Sequence, residues 1–295
     1  MSPPFSLPSF AKINWSLRVV GKRVDGYHDL STVFQTVSLY DIIRFDHADK
    51  LELACDDPLV PITGNLILKA ADALNGSGGT SYGARIHLEK RIPSPGGLGG
   101  GSSNAAAALI GLCRLWGVRL DQGLLSEIAA DLGADVPFFL RGGTAIGTGR
   151  GDLIEPWPDL SATEMLVVTP AIAVSTADAF RSLNAPVLTP EERERILIVS
   201  RNAADRLDPL ASELKNDLEP TVFAAHPEIK RVKHTLLDLG ARNAAMSGSG
   251  ASVFAVFDNE ETRRAAQKAL DNESTWRKFA VATISRDEYR EALGI

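Results

Sequence analysis

The sequence predicts an α+β protein of two lobes, and three observations carry that prediction. Through the first half, runs of alternating apolar and polar residues mark strands, with helix-forming segments between them. The stretch Glu155-Pro156-Trp157-Pro158 breaks this pattern just before a new apolar strand, Met165-Leu166-Val167-Val168. Beyond it, helical patterns outnumber strands. These place a boundary near residue 160, giving lobes 1–160 and 161–295.

In the first lobe, Ala11, Ile13, Trp15, Leu17 and Val19 alternate with Lys12, Asn14, Ser16 and Arg18, which makes one apolar strand face and sends Lys12 and Asn14 together from the other. On this strand alone, Lys12 reads as a solvated cation on an exposed sheet face. The turn that follows, Gly21 to His28, sets an aromatic ring and an imidazole side by side at Tyr27-His28. Such a pair suits stacking on a flat ring and hydrogen bonding to its edge, although in isolation it reads as ordinary packing.

A second strand runs from Ala84 to Ile92, with Ala84, Ile86, Leu88 and Ile92 apolar and Arg85, His87, Glu89 and Arg91 between them. It leads into Pro93-Ser94-Pro95-Gly96-Gly97-Leu98-Gly99-Gly100-Gly101-Ser102-Ser103, which is followed by an alanine-rich helix from Asn104 to Leu115 that Ser102 or Ser103 can cap. A connector needs one or two glycines and this one has five. Glycines let backbone N–H groups approach a ligand, and a following helix points its unpaired amides at the loop, so the segment is a cradle for phosphate.

Downstream, Gly133-Ala134-Asp135-Val136-Pro137-Phe138-Phe139 sets one carboxylate among apolar neighbours. Alone, Asp135 reads as a helix cap, and a base aimed at a cleft is the alternative. The stretch Gly142 to Gly151 is most simply a hairpin that presents Arg150, and Met246-Ser247-Gly248-Ser249-Gly250 is a tight turn before the strand Val253 to Phe257. Helices are expected at Thr176 to Leu183, Glu191 to Ser200, Pro227 to Leu239 and Glu260 to Asp271, a further strand at Phe279 to Ile284, and a surface loop at Asn184 to Pro190.

Several function classes are excluded. There is no Gly-x-x-x-x-Gly-Lys-Ser/Thr and no Gly-x-Gly-x-x-Gly, which argues against a P-loop ATPase and a dinucleotide-binding fold, and no Gly-x-Ser-x-Gly to indicate a serine hydrolase. A formal net charge of -6 argues against a nucleic-acid surface, so an anionic ligand must be held by local features. Cys55 and Cys113 are too few and too far apart for a disulfide scaffold or a zinc site and read as packing residues. With no basic leader before an apolar run and no long apolar span, a cytoplasmic protein is expected.

Taken in order, Ala11-Lys12-Ile13-Asn14, Asp25-Gly26-Tyr27-His28, the glycine-serine loop, Gly133 to Phe139 and Met246 to Gly250 resemble the motifs of the GHMP small-molecule kinases over nearly the whole chain. The resemblance implies an N-terminal mixed α/β lobe holding ATP, a ferredoxin-like C-terminal lobe, and catalysis between them. The Asp-Gly-Tyr-His and Gly-Ala-Asp-Val-Pro-Phe-Phe stretches point to the branch acting on a cytidylyl substrate. The implied reaction is ATP-dependent phosphorylation of the 2-hydroxyl of 4-diphosphocytidyl-2-C-methyl-D-erythritol, giving the 2-phosphate and ADP, in non-mevalonate isoprenoid biosynthesis.

By position, Lys12 and Asp135 match the family's catalytic pair, Tyr27 and His28 its cytidine-binding residues, and Phe180 a second aromatic face. Asn14, Thr176, Gly248 and Ser249 fall at substrate contacts, Asn65 and Lys90 near the nucleotide with the loop, and Arg150 where a cation meets phosphate. Mg²⁺ is expected to ride on the ATP phosphates near Ser102 or Ser103, with no dedicated protein ligands. The small-molecule substrate is the expected partner of a monomer or weak homodimer, without nucleic acid or membrane. Pro95 departs from the family's small flexible residue, removing an N–H donor and fixing φ, and ATP binding is expected to persist. Another acceptor (mevalonate, homoserine or a sugar) or a non-catalytic nucleotide-binding regulator are the competing readings.

Overall fold

A computed structural model describes residues 3–295 and contains two sheets. The chain opens with two long antiparallel strands, β1 (Phe5–Lys22) and β2 (His28–Asp46), joined by the turn that holds Tyr27. Next come β3 (Leu51–Cys55), α1 (Leu66–Gly78), β4 (Ala84–Glu89), α2 (Gly100–Trp116), α3 (Gln122–Leu132), the one-turn α4 (Val136–Phe139) and the hairpin β5 (Thr144–Gly149) to β6 (Leu153–Pro156). β1 lies along one edge of β2, while β4 and β5 pair with opposite ends of its other edge. β3 and β6 complete the six-stranded sheet. The glycine-rich stretch from Gly142 is therefore a hairpin, as its composition indicates.

The second sheet begins at β7 (Met165–Pro170). Then follow α5 (Thr176–Arg181), α6 (Pro190–Ala204), α7 (Glu219–Ala225), α8 (Pro227–Asp238), β8 (Asn243–Met246), β9 (Val253–Val256), α9 (Glu260–Ala269), β10 (Trp276–Val281) and α10 (Arg286–Leu293). Its strand order is β10-β7-β9-β8, antiparallel throughout, with crossovers through α8 and α9, which is the ferredoxin-like arrangement. Leu166, Val168 and Ala255 bury one face against Val222, Ile229, Val232 and Leu236 of α7 and α8. The opposite face, with Val167, Phe254 and Val256, packs on Ala11, Ile13 and Trp15 of β1. The two sheets thus share a core, and the cleft opens beside it.

The strand pattern of β1 is interrupted. Register shifts between Asn14 and Ser16, so the apolar face that begins with Ala11, Ile13 and Trp15 does not run on to Leu17. Leu17 turns instead to the side of Lys12 and Asn14 and lines the cleft with them. A bulge shifts the period-2 pattern by one residue, which alternation alone does not show. Lys12 and Asn14 are 3% and 2% exposed, so the reading of a solvated sheet face is overturned.

Several elements have no individual counterpart in the sequence reading: β2, β3, α1 and α3 in the first half, and α7, β8 and α10 in the second. The last returns across the molecule to the first core, where Tyr289 and Leu293 pack with Phe10 and the residues of α2 and α4. The Tyr289 hydroxyl donates to the Phe139 carbonyl at the end of α4. Cys55 and Cys113 are unpaired and partly buried against the same core, where burial pushes both thiols up, consistent with packing roles.

Candidate active site

The glycine loop leaves β4 and enters α2 earlier than its composition suggests. The helix begins at Gly100 rather than Asn104, and its N-cap is Gly99 at φ +70° with no side-chain cap. Neither serine caps it, because both lie inside the first turn. The first intrahelical bond is Ser103 N to Gly99 O at 2.8 Å, so the amides of Gly100, Gly101 and Ser102 precede the ladder and have no intrahelical acceptor. These donors and the helix dipole converge on the cleft, where an anion is favoured. At Gly99 a Cβ would stand 2.9 Å from the Phe139 ring and 3.0 Å from Lys12 Cγ, which is why the turn needs glycine.

The two serines diverge. Ser102 lines the cleft. Ser103 is 1% exposed and accepts from the Ser9 hydroxyl at 2.8 Å, within a buried network behind the loop. Asp41, fully buried at the centre of that network, accepts from Arg91 N, Ile92 N, Asn104 Nδ2 and Lys90 Nζ at 2.7–2.9 Å. Four donors satisfy the buried carboxylate and tie β2 to both ends of the loop. Lys90 also donates to Ile92 O, so its ammonium is spent on the protein behind the loop. Asn65 caps α1 by accepting from Ile67 N and donates to Pro61 O. Neither Asn65, Lys90 nor Ser103 lines the cleft.

Across from the loop, Lys12 Nζ donates to Asn14 Oδ1 at 2.7 Å and lies 3.5 Å from Asp135 Oδ2. It also sits over the Phe34 ring, 5.5 Å from the centroid. Asn14 in turn donates to Thr32 Oγ1 at 2.7 Å, which fixes its amide. A buried ammonium with a carboxylate, an amide oxygen and an aromatic face around it is well compensated. Asp135 stands at the N-cap position of α4 but makes no capping bond, so the isolated cap reading fails. Its carboxylate faces the cleft and is about one-third exposed.

The cleft, of about 410 Å³, is also lined by Arg150, Thr176, Phe180, Gly248 and Ser249, as well as Pro93 to Gly97, Pro95 included. Its wall is closed where the Met246–Ser252 turn locks onto the glycine loop: Ser247 Oγ donates to Gly97 O at 2.9 Å and Ser252 N to Gly96 O at 3.1 Å. Thr176 and Ser249 share a hydroxyl hydrogen bond of 2.8 Å. A second cavity of about 1160 Å³ adjoins the first through Leu30, Ala134, Arg150, Thr176 and Phe180, and is walled by Tyr27 and His28.

In that cavity the His28 and Phe180 rings stack, 5.4 Å between centroids and 27° between planes. Tyr27 is exposed and lies under the Arg150 guanidinium at 5.4 Å, while Arg150 is paired with Asp152 at 2.7 Å. Burial, and secondarily the charge of Lys22, holds the His28 imidazole below its usual value of 6.5, which favours the neutral ring. Among the described residues no group of three or more acidic, His or Cys side chains can hold a metal ion. Nor is any helix among them long and apolar enough to cross a membrane.

A phosphate cradle facing a lysine–aspartate pair, in a cleft between a mixed α/β lobe and a ferredoxin-like lobe, suits transfer of a phosphoryl group to a hydroxyl. The chain matches the GHMP kinases N terminal domain over residues 65–143 and the GHMP kinases C terminal domain over residues 198–274. It is similar to homoserine kinase from Cytophaga hutchinsonii in fold, with a TM-score of 0.68 at 20% identity over 98% of this chain and 97% of that one. The chain belongs to the GHMP kinases.

Its relatives narrow this further. The 4-diphosphocytidyl-2-C-methyl-D-erythritol kinase of Solibacter usitatus is 41% identical, covering 96% of this chain and 90% of that one. The kinase of the same name from Syntrophus aciditrophicus is 39% identical, covering 93% and 97%. A crystal structure of 4-(cytidine 5'-diphospho)-2C-methyl-D-erythritol kinase superposes with a TM-score of 0.77 at 34% identity, covering 95% and 99%. Within the GHMP kinases, the chain belongs to the family of 4-diphosphocytidyl-2-C-methyl-D-erythritol kinases.

Proposed function

We propose that this protein moves the γ-phosphoryl group of ATP onto the 2-hydroxyl of 4-diphosphocytidyl-2-C-methyl-D-erythritol, releasing ADP. The observation that carries this reading is the continuity of the two cavities. One holds the glycine loop and the Lys12–Asp135 pair and the other holds Tyr27, His28 and Phe180, and they meet at Arg150, Thr176 and Phe180. A substrate with a cytosine at one end and a hydroxyl at the other fits that arrangement.

In this reading the amides of Gly100, Gly101 and Ser102 bind the ATP phosphates, and Asp135 accepts or orients the proton of the attacking hydroxyl. Lys12, held by Asn14, stabilises charge on the transferring group. Asn65 and Lys90 act by holding the loop's surroundings. Thr176 and Ser249 contact the acceptor, and Arg150 meets its diphosphate. Mg²⁺, when bound, neutralises charge on the phosphates; Ser102 and Asp135 are the polar side chains at hand, which fits an ion carried by the nucleotide. Lobes 1–160 and 161–295, a monomer or weak homodimer, and a cytoplasmic location complete the reading, the last supported by two unpaired cysteines.

The direct test is ADP release from Mg·ATP with the cytidylyl acceptor, run beside mevalonate, homoserine, galactose and no acceptor. Turnover with the cytidylyl compound alone is expected; turnover with another acceptor instead overturns the substrate assignment.

Two further results are expected at the cytidine end. Phe180→Ala removes a stacking face and should raise KM for the acceptor about tenfold, with KM for ATP held within about twofold, as steady-state kinetics will show. A neutral His28 offers one donor and one acceptor to the base edge, and a charged one offers only donors. Because its proton affinity is lowered, His28 is mostly neutral at pH 6.5 and becomes half-charged only at more acid pH. KM for the acceptor should therefore rise on acidification with a midpoint below 6.5. An inflection at or above 6.5, in kinetics or in an NMR titration of the ring, would contradict this.

A further inference from the structure

The segment Lys215-Asn216-Asp217-Leu218-Glu219 has no role in the scheme above, yet its polar groups converge on the cleft wall. Its backbone pairs with β1 just beyond Lys12 and Asn14: Leu17 N donates to Lys215 O and Asp217 N to Leu17 O, each at 2.9 Å. Asp217 Oδ2 accepts from Val19 N at 2.9 Å. Glu219 Oε1 accepts from Met246 N at 2.8 Å, while its Oε2 accepts from Lys233 Nζ at 2.6 Å.

Asn216 lies at the centre and is 5% exposed. Its Nδ2 donates to two carbonyls, Met246 O at 2.8 Å and Gly248 O at 2.7 Å, and its Oδ1 accepts from Leu218 N at 3.0 Å. Both amide hydrogens are used, and a flipped amide would set oxygen against two carbonyl oxygens, so the orientation is unique. The two carbonyls bracket Ser247. The turn they hold runs close to three parts of the site: a Cβ at Gly248 would be 3.3 Å from Lys12 Nζ, Ser249 bonds Thr176 at 2.8 Å, and Ser247 bonds Gly97 O.

We propose that Asn216 is a positioning residue for phosphoryl transfer: by gripping the two carbonyls of the Gly-Ser turn it sets where Gly248 and Ser249 meet Lys12 and the acceptor. The inference rests on the acceptor-site reading given above. The glycine loop keeps anchors that do not involve Asn216, namely Ser252 N to Gly96 O and Lys12 N to Leu98 O. Only the Ser247 bond to Gly97 O joins the gripped carbonyls to the glycine loop, so the acceptor side takes the larger share of the loss.

The test is Asn216→Asp, which keeps the volume and the acceptor for Leu218 N but turns a second oxygen toward the two carbonyls. Steady-state kinetics on protein with wild-type circular dichroism should show kcat/KM for the cytidylyl acceptor reduced about tenfold or more, with KM for ATP within about twofold. Acceptor constants within twofold of wild type, or both substrates affected in parallel, overturn the proposal. Should Asn216→Asp fail to fold, Glu219→Ala frees Met246 N at the root of the same turn. A roughly threefold split of the same sense supports the proposal and unchanged constants overturn it. Wild type assayed alongside separates the two levels: no phosphorylation of the acceptor by wild type overturns the functional reading itself, and this inference with it.

Discussion

Asp135→Asn is expected to lower kcat by about 100-fold or more while leaving KM for ATP within about twofold. The substitution preserves size and removes the charge and basicity that face Lys12 at 3.5 Å. Asp135 makes no capping bond, so α4 loses nothing in the exchange and the fold is unaffected. What is lost is the group that takes or orients the hydroxyl proton, together with the anion that draws the Lys12 ammonium across the cleft. Lys12 would keep Asn14 and the Phe34 face, and so stay in place. Single-turnover phosphoryl transfer and nucleotide binding, measured on one preparation, separate the two effects; a fully active variant would remove Asp135 from the chemistry.

Gly97→Ala is expected to abolish nucleotide binding and to destabilise the protein by about 2–4 kcal/mol, read as a lowered melting temperature or loss of soluble protein. Gly97 has φ +70°, a region that costs an L-residue about 1 kcal/mol or more. The added Cβ would also fall 2.1 Å from Ser247 O. That oxygen cannot retreat freely, since it accepts from Gly250 N within the turn that Asn216 grips. Gly101 is the fitting control, because a Cβ there meets nothing nearer than Leu66 Cδ1 at 3.8 Å. Gly101→Ala should keep the stability of wild type.

The two predictions draw on parts of the site that differ in how plainly the sequence shows them. The phosphate loop is legible because its chemistry is contiguous: the glycines, the preceding strand and the following helix occupy one stretch, and the function lies in their backbone. Lys12 and Asp135 are each ambiguous alone, one a solvated cation and the other a cap, because what defines them is a partner 123 residues away. Their meeting is a tertiary fact, and only the set of motifs taken together foretells it. Asn216 leaves no signal at all, since its partners are backbone carbonyls, which no residue type encodes.

Element boundaries divide in the same way. α8 falls where its helix period places it, and β9 where a short run of apolar residues marks a buried strand. β8 is four residues of small and apolar side chains, and its pairing with β9 is what makes it a strand. α10 did carry a local mark: Ser285 and Glu288 form a capping box, a Ser-x-x-Glu pattern readable from sequence. The β1 bulge between Asn14 and Ser16 had none, because alternation continues through it in the residues but not in space.

The return of α10 to the first core bears on how the chain is made. Ribosomal synthesis releases the six-stranded sheet first, but the space above Gly142, where a Cβ would stand 2.1 Å from the Tyr289 ring, is filled only by residues near the end of the chain. The hydroxyl that reaches the Phe139 carbonyl arrives with them. The nascent ATP lobe therefore stays unfinished on the ribosome until the ferredoxin-like lobe has been translated and its last helix has emerged. Completion of the first core is thereby tied to α10, and removal of that helix would leave the nucleotide lobe with an open seam.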